Sequence, residues 1–482
     1  MTLIPVLHIL SILITPMAGV MLLACLIDLS YANENWINFL SASLITLFIG
    51  MCIFLATREK RDQNLDLRQA FLLTTLAWVS IALFGAIPFY LSTLNLSLTD
   101  SFFESMSGIT TTGSTILIDI ENSPPGILVW RALLQWLGGI GVIVMALAVL
   151  PMLSVGGMQL FKTESFETPE KVIPRATGLA RGIFLIYSLL TIIWSLLLFW
   201  SGMPGFDAVL HSMTTIATGG YSTKTGSIGS FNSSSIDWII ILGMIVGSLP
   251  FIHYLAFTRG SLTDLLNDNQ VRWFFGSLCI IIIIIFLLLF LNSTYNWQNA
   301  IRYSAFNVTS ILTGTGYGTT DFGLWGGFAP TILLLCMFIG GCAGSTTCGI
   351  RMFRIQVLAS SANAQIIRLL RPHSIVLPHY NNRPVPDQIA NAVMGFFFIY
   401  ILVFALTAVI LSALGLDFET AISGAATSIS NVGPGLGDVI GPTGNFSSLP
   451  DAAKWTICIS MLLGRLELFT VLVLFTPSFW KL

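Results

Sequence analysis

Four segments of this sequence share one pattern and decide its fold: GITTTGST at 108–115, TIATGGYS at 215–222, ILTGTGYGTT at 311–320 and SISNVGPGLG at 428–437. Each segment contains one glycine that we take as equivalent to the others: Gly113, Gly219, Gly316 and Gly433. These glycines are 106, 97 and 117 residues apart. Because a repeat of this length is a stronger fold signal than any single motif, the sequence predicts four related structural units.

Each glycine follows a weakly polar stretch that is rich in Ser, Thr, Ala, Phe and Met. The four stretches lie at 100–110, 206–216, 299–312 and 418–430. They are too short and too polar to cross about 30 Å of hydrocarbon. We expect each to form a half-helix that enters the membrane from outside and returns as an extended loop. Membranes tolerate such a loop only where protein surrounds a water-filled cavity.

Glycine in these loops has a direct chemical use. Glycine adopts backbone angles that other residues resist, so several carbonyl groups can turn toward one axis and replace the water around a cation. The partly negative C-terminal end of each half-helix would also point toward the ion. Ordinary turn formation would explain a single glycine, but four loops in register with the spans favour a shared site.

Composition excludes several classes of protein. The 482 residues are 55% hydrophobic and only 9% charged, and the mean hydropathy is +0.84. Soluble domains carry about 25% charged residues, so this chain cannot cover a water-facing surface. A net charge of −2 argues against a nucleic-acid partner. Seven cysteines without CxxC spacing indicate neither a disulfide framework nor a zinc site, and the lack of motifs such as HExxH argues against an enzyme.

Ten apolar segments are long enough to cross the membrane as helices. They lie near 3–27, 36–57, 69–94, 127–153, 183–202, 236–257, 273–292, 328–350, 388–412 and 455–476. The connections on one side carry 16 of the 21 Lys and Arg residues. By the positive-inside rule this side is cytoplasmic, and both termini lie there. The opposite connections are rich in acids, and an acidic entrance attracts cations.

The third and fourth loops resemble a known ion filter. Thr315-Gly316-Tyr317-Gly318 and Asn431-Val432-Gly433-Pro434-Gly435 are similar to the TVGYG filter of potassium channels. A single chain with four unequal membrane–pore-loop–membrane repeats resembles the Trk/Ktr/HKT cation transporter superfamily. The additional span pair at 3–57 and the total length resemble the TrkH/TrkG branch rather than the shorter KtrB branch.

The resemblance implies an all-α polytopic membrane protein with about ten transmembrane helices. Four pseudo-symmetric membrane–pore-loop–membrane repeats would surround a central pore, beside an extra N-terminal helix pair. The expected units are the N-terminal pair at 1–57 and pore repeats at 58–160, 161–262, 263–384 and 385–482, of which the third contains the interrupted inner helix.

The resemblance also implies potassium uptake through a filter in the bacterial cytoplasmic (inner) membrane. The filter residues would be Thr111, Thr112, Gly113, Thr218, Gly219, Thr315, Gly316, Asn431, Val432 and Gly433. Ser114 and Gly220 would take the place of the aromatic residue in the first two loops. In this superfamily, glycine at all four key positions goes with a preference for potassium over sodium.

The eighth span is interrupted at 340–349 by the sequence GGCAGSTTCG. Four glycines in ten residues weaken a continuous helix by about 1 kcal/mol each relative to alanine. By resemblance the break is an intramembrane gate below the filter, formed by Gly340, Gly341, Gly344, Ser345, Thr346 and Gly349. Close helix packing through small residues is the alternative.

Two arginines fall within predicted spans. Arg465 lies about ten residues into the last span, where a buried charge is costly and must face the bundle interior or water. We expect it to act with the gate by repelling cations, and a salt bridge with Glu467 is the alternative. Arg131 lies near the outer end of the fourth span and is expected to reach the membrane interface.

The expected partners follow from the resemblance. No covalent cofactor is expected. Potassium would occupy the pore, with sodium, rubidium and caesium as further candidates, and membrane lipid would surround a homodimer. A cytosolic ring of nucleotide-binding TrkA-like subunits would contact the basic loops at 162–181 and 351–383, which could equally hold anionic lipid headgroups. The alternative function is secondary transport of another solute, with the broken helix as a midplane site.

Overall fold

The computed structural model of the protein describes residues 3–58, 65–145, 172–257, 260, 263–381 and 383–481, without the side chains of 172–177 and 263–264. Several predicted features lie outside these residues: the end of the fourth span at 146–153, the basic segment at 162–171, and the unit boundaries at 160–161 and 262. The described chain is almost entirely helical. Two two-residue strands, His379–Tyr380 and Arg383–Pro384, form the one hairpin in this part of the chain.

Seven continuous helices are long and apolar enough to cross a membrane. They are Ile4–Ser30, Trp36–Thr57, Leu67–Leu91, Pro125–Val144, Gly178–Trp200 within the helix Val172–Trp200, Asn269–Leu291 and Asp387–Ala413. Their outward faces carry many exposed Leu, Ile and Phe side chains, as lipid-facing helices do. The described chain is therefore a polytopic membrane protein of the predicted all-α class.

Three further predicted spans are broken, and only one of these breaks was expected. The segment predicted at 328–350 is a 12-residue helix, Phe328–Ile339, followed by a loop. The segment at 236–257 bends by 93° between Ser234–Ser248 and Phe251–Phe257, because Pro250 at the junction cannot continue the helix. The last segment bends by 107° after Asp451–Arg465. The prediction that the segments at 236–257 and 455–476 are each one continuous helix is therefore wrong.

Four half-helices lie at the predicted places, each after one long apolar helix. They are Leu98–Ile109, Gly205–Ile216, Trp297–Leu312 and Phe418–Ser430. The sequence fixes three of their starts, because Ser97, Asn296 and Asp417 each accept a hydrogen bond from a first-turn backbone N–H at 3.0 Å. Such a cap stabilises a helix by about 1 kcal/mol. The second half-helix instead begins after Pro204.

The remaining elements are short, apart from one long helix after the interrupted span. They are the helices Thr263–Asn267, Met352–Leu370, Gly437–Ile440, Phe469–Leu472 and Pro477–Trp480, and the 3₁₀ helices Ser227–Phe231, Phe322–Trp325 and Val473–Phe475. Met352–Leu370 has an apolar side that packs on Asp387–Ala413.

The N-terminal helix pair is fixed to the helix Pro125–Val144 by a buried carboxylate. Asp28 is fully buried and accepts hydrogen bonds from the Gly126 backbone N–H at 2.6 Å and the Asn35 side chain at 3.0 Å. A buried charge is tolerated only when such partners replace water. The pair therefore packs against Pro125–Val144 as part of the same body, and the largest apolar cluster runs through this junction.

Candidate ion pathway

The four half-helices end in loops that share one backbone turn. In each loop a backbone N–H donates to the carbonyl five residues earlier, at 2.8–3.0 Å. The four bonds run from Thr112 to Ser107, from Gly219 to Thr214, from Thr315 to Ser310 and from Val432 to Thr427. Because the same turn occurs four times, these four donors occupy equivalent positions.

Backbone angles give the same register. Two residues in each loop have positive φ and are separated by one residue with negative φ. The first set is Thr111 (52°), Thr218 (49°), Gly314 (69°) and Asn431 (54°), and the second set is Gly113 (88°), Gly220 (78°), Gly316 (82°) and Gly433 (115°). Gly220 is thus the structural counterpart of Gly113, and the assignment of Gly219 to that position is wrong by one residue. The aromatic position of the second loop is consequently Tyr221 and not Gly220.

The four loops meet in a closed ring. A methyl group built on each glycine of the second set would overlap a carbonyl oxygen of the next loop: Gly113 that of Gly219, Gly220 that of Thr315, Gly316 that of Val432, and Gly433 that of Thr112 at 2.8 Å. Each of these carbonyls belongs to the residue that precedes the next glycine. Only glycine permits both the backbone angle and this approach, so the ring explains why four glycines recur.

A cavity of about 70 Å³ opens on one side of the ring. Its lining includes Gly113, Gly220, Gly316 and Gly433 together with polar groups such as Ser114, Arg131 and Lys224. At its rim the side chain of Thr225 donates to Glu121. Partial burial raises the pKa of Glu121, but the two hydrogen bonds from Thr225 outweigh this and bring the pKa below its ordinary value. The rim therefore keeps a carboxylate at neutral pH.

Arg131 does not reach the membrane interface as expected, but is buried behind the first two loops. Its Nε donates to Glu104 at 2.7 Å and its Nη1 to the Ser222 carbonyl at 3.1 Å, while the guanidinium lies 4.0 Å from the Tyr221 ring. Glu104 also accepts from the backbone N–H of Ile116 at 3.0 Å. The ion pair thus ties the first half-helix to both returning loops.

The interrupted segment packs directly against the second loop. The residues predicted to form the gate are buried wherever the structure gives their exposure, and the backbone turns through positive φ at Gly340, Gly344 and Gly349. Thr346 lies at the centre: its hydroxyl accepts from Thr218 at 2.9 Å, and its backbone N–H donates to Gly247 at 3.2 Å. The break is therefore a defined loop in contact with the ring-forming loop above it.

Arg465 ends the first half of the last span and binds the same loop. Its Nη1 donates to the Thr346 carbonyl at 3.2 Å and to Cys348 Sγ at 2.6 Å, and its Nη2 donates to the Gly138 carbonyl at 2.9 Å. None of these acceptors is charged. No carboxylate pairs with Arg465 within the residues that the structure describes.

Glu467 pairs with other arginines, so the expected alternative of an Arg465–Glu467 bridge is wrong. The helix ends at Arg465, and Glu467 and Leu468 have positive φ. The Glu467 carboxylate instead contacts Arg351 at 2.9 Å and Arg354. These groups are buried, and Arg354 also stacks on the Phe396 ring at 3.8 Å. The bend after Arg465 is what separates the two neighbouring charges.

Three residues of this site were not predicted to hold the positions that they have. Gly220 was recognisable, because aligning Gly220-Tyr221 with Gly316-Tyr317 gives the observed register. Arg131 and Gln135 gave no signal, since their partners are more than 25 residues away along the chain. Gln135 is fully buried, and its side chain donates to the Gly219 carbonyl at 2.5 Å.

Comparisons with known proteins all match this chain to one family, over most or all of its length. A family profile for TrkH, described as a cation transport protein, matches residues 37–482. The Trk system potassium uptake protein TrkI of Halomonas elongata is 42% identical over 480 residues, which are 99% of this chain and 97% of that protein. The Trk system potassium uptake protein TrkH of Escherichia coli K12 is 38% identical over 480 residues, 98% of each protein.

Solved structures lead to the same family. The crystal structure of the potassium transporter TrkH from Vibrio parahaemolyticus matches with a TM-score of 0.93 and 35% sequence identity, and the match covers 100% of both chains. The predicted family and the predicted all-α membrane fold are confirmed by these matches. This chain belongs to the TrkH family of cation transport proteins.

Proposed function

We propose that this protein takes up potassium across the bacterial cytoplasmic membrane through the ring of four loops. The observation that carries the proposal is the ring itself, in which four glycines bring four carbonyl groups against neighbouring loops. The similar proteins of Halomonas elongata and Escherichia coli are potassium uptake proteins of the Trk system. An inside-negative membrane potential drives entry with about 2.3 kcal/mol per charge per 100 mV.

The filter acts through the carbonyls of Thr112, Gly219, Thr315 and Val432, with the adjoining glycines at their sides. A cation that enters the ring exchanges its water shell for these oxygens. The four half-helices direct the negative ends of their dipoles to the same place. Thr111, Thr218 and Asn431 hold the backbone turns that precede the carbonyls.

The interrupted loop at 340–349 and Arg465 form the gate in this proposal. The loop lies next to Thr218, on the side where an ion leaving the second loop would pass. Arg465 adds an uncompensated positive charge among neutral acceptors, which raises the barrier to a passing cation. Displacing the loop would also move the Arg465 contacts with Thr346 and Cys348.

Topology and partners complete the proposal. Both termini lie on the cytoplasmic side, as the distribution of Lys and Arg indicates. The protein works as a homodimer on a cytosolic nucleotide-binding ring of the TrkA type. The basic segment at 351–383, whose helix Met352–Leu370 follows the gate loop directly, is the proposed contact. Pull-down with and without Arg368→Glu and Arg371→Glu tests that contact, and equal recovery would contradict it.

The uptake proposal is tested by growth and by flux. Expression in a bacterium that lacks potassium uptake should restore growth in low potassium and allow rubidium influx. Gly220→Ala should fail, whereas Gly202→Ala is a matched control with positive φ (94°) but nothing within 4 Å of an added methyl group. Absence of influx from correctly inserted protein refutes the proposal.

Secondary transport of another solute predicts a different electrical result. Purified protein in a bilayer with potassium as the permeant cation should carry current if the ring conducts. A transporter that uses the break at 340–349 as a substrate site would carry no current under these conditions. The current therefore separates the two functions without knowledge of the alternative solute.

A further inference from the structure

Gln135 spans the positive-φ glycine of the second loop. Its Nε2 donates to the carbonyl of Gly219 at 2.5 Å, and its Oε1 accepts from the backbone N–H of Tyr221 at 3.0 Å. The side chain is fully buried. It thus binds the residue before Gly220 and the residue after it.

Chemistry fixes which end of the amide faces which partner. The Tyr221 N–H can only donate and the Gly219 carbonyl can only accept, so the Gln135 oxygen and nitrogen cannot exchange places. The Gly219 carbonyl is also the oxygen that the Gly113 methyl group would overlap. Gln135 therefore donates to a member of the carbonyl ring and not to a peripheral group.

The other three ring carbonyls lack such a donor. In the described part of the chain, no hydrogen bond reaches the carbonyls of Thr112, Thr315 or Val432. The ring therefore contains three free oxygens and one that is shared with a side-chain amide.

The helices Pro125–Val144, Ser234–Ser248 and Asp451–Arg465 show why the Gly219 carbonyl has a side-chain donor that the other ring carbonyls lack. Each of these helices has one glycine that lies against a carbonyl at the end of the half-helix preceding it in the chain. The pairs are Gly138 with Ile109, Gly247 with Ile216, and Gly464 with Ile429. The residues three positions earlier are Gln135, Met244 and Met461. The two methionines are fully buried and offer no hydrogen-bond donor. The amide occurs at one of three equivalent places.

We propose that Gln135 sets ion selectivity by weakening one carbonyl ligand of the ring. The inference rests on the proposed function and names a specificity-determining residue within it. A carbonyl that already accepts an N–H has one lone pair fewer for a cation. Its field at the ion is weaker, and weaker ligands favour larger cations with less costly dehydration, such as potassium and rubidium, over sodium.

The test replaces the amide without changing the length of the side chain. Gln135→Met removes both hydrogen bonds, frees the Gly219 carbonyl and should raise the sodium-to-potassium flux ratio about threefold to tenfold, the equivalent of one ordinary hydrogen bond. The reverse variant Met244→Gln adds an amide at the equivalent position facing the third loop and should lower the ratio. Wild-type protein and Ser105→Ala, whose hydroxyl binds the Ala82 carbonyl away from the ring, are the controls.

The outcomes separate this inference from the proposed function. If wild-type protein in liposomes carries no potassium flux, the proposed function fails. If wild-type protein conducts and Gln135→Met conducts with an unchanged ratio, the inference fails and the proposed function stands. If Gln135→Met does not fold, the ratio of Met244→Gln decides, and an unchanged ratio there overturns the inference. A purely structural Gln135 would lower total flux in Gln135→Met without moving the ratio.

Discussion

Gly220→Ala is the substitution that most directly tests the ring register. The new side chain would occupy positive φ (78°), which costs about 1–2 kcal/mol for an alanine. Its methyl group would overlap the Thr315 carbonyl, a backbone atom that can yield only by moving the third loop. Gly219→Ala should be milder, since Gly219 lacks positive φ and its added methyl group meets the Gln135 side chain and no backbone atom of another loop.

The size of the effect follows from losing one ring ligand. A polar contact to a charged group contributes about 1.5–3 kcal/mol. Displacing the Thr315 carbonyl should therefore lower rubidium influx about tenfold to a hundredfold. Gly202→Ala carries the same kind of backbone strain (φ 94°) in open space, and its influx should stay close to wild type.

Rubidium influx into liposomes, with protein amount and orientation measured, compares the three variants. We expect Gly220→Ala to lose the most influx, Gly219→Ala to lose less although Gln135 must shift, and Gly202→Ala to stay close to wild type. Loss in Gly219→Ala together with normal influx in Gly220→Ala would refute the register derived from the backbone turns. Equal loss in Gly202→Ala would show that strain alone, and not the ring, accounts for the defect.

Three further predictions concern the charges and the break. Arg465→Ala should raise potassium flux, since unit charges about 4 Å apart at an effective dielectric of about 20 repel by roughly 4 kcal/mol. Thermal stability should fall, because three acceptors lose their hydrogen-bond donor. Lower flux in folded protein would contradict the role of Arg465 as a barrier. Shortening 340–349 should raise flux without a cytosolic partner, and abolished flux in folded dimers would identify a packing element instead. Glu104→Gln should lower the melting temperature and reduce flux, because a buried pair broken on one side costs about 3–5 kcal/mol; an unchanged melting temperature would exclude this tie.

The sequence carried most of the fold because the relevant signals are local. Spans are visible as apolar runs, and Ser97, Asn296 and Asp417 mark the starts of three half-helices. The bend at Pro250 was also locally encoded, although the apolar run through it predicts one continuous span. The bend after Arg465 has no proline, and Glu467 beyond it contacts Arg351 and Arg354, which lie far from it along the chain.

The candidate site was less accessible from the sequence, for a physical reason. Glycine spacing alone does not decide whether Gly219 or Gly220 is the counterpart of Gly113, since the two glycines are adjacent. The choice is made by the turn that bonds Gly219 to Thr214 and by the approach of Gly220 to the Thr315 carbonyl. Both are settled in three dimensions. Arg131 and Gln135 belong to the site because they bind residues that are distant in the sequence, so no local pattern indicates their role.

The second loop joins the ring to the interrupted span by a short path of hydrogen bonds. Thr218, which precedes the ring carbonyl of Gly219, donates to Thr346 at 2.9 Å, and the carbonyl of Thr346 accepts from Arg465 at 3.2 Å. Displacing the interrupted loop must break the first of these bonds, so it removes a support of the loop to which Gln135 is hydrogen-bonded. A gate at 340–349 therefore cannot open without changing the environment of one ring carbonyl. Selectivity measured in a variant with a shortened loop should consequently move in the same variant that raises flux.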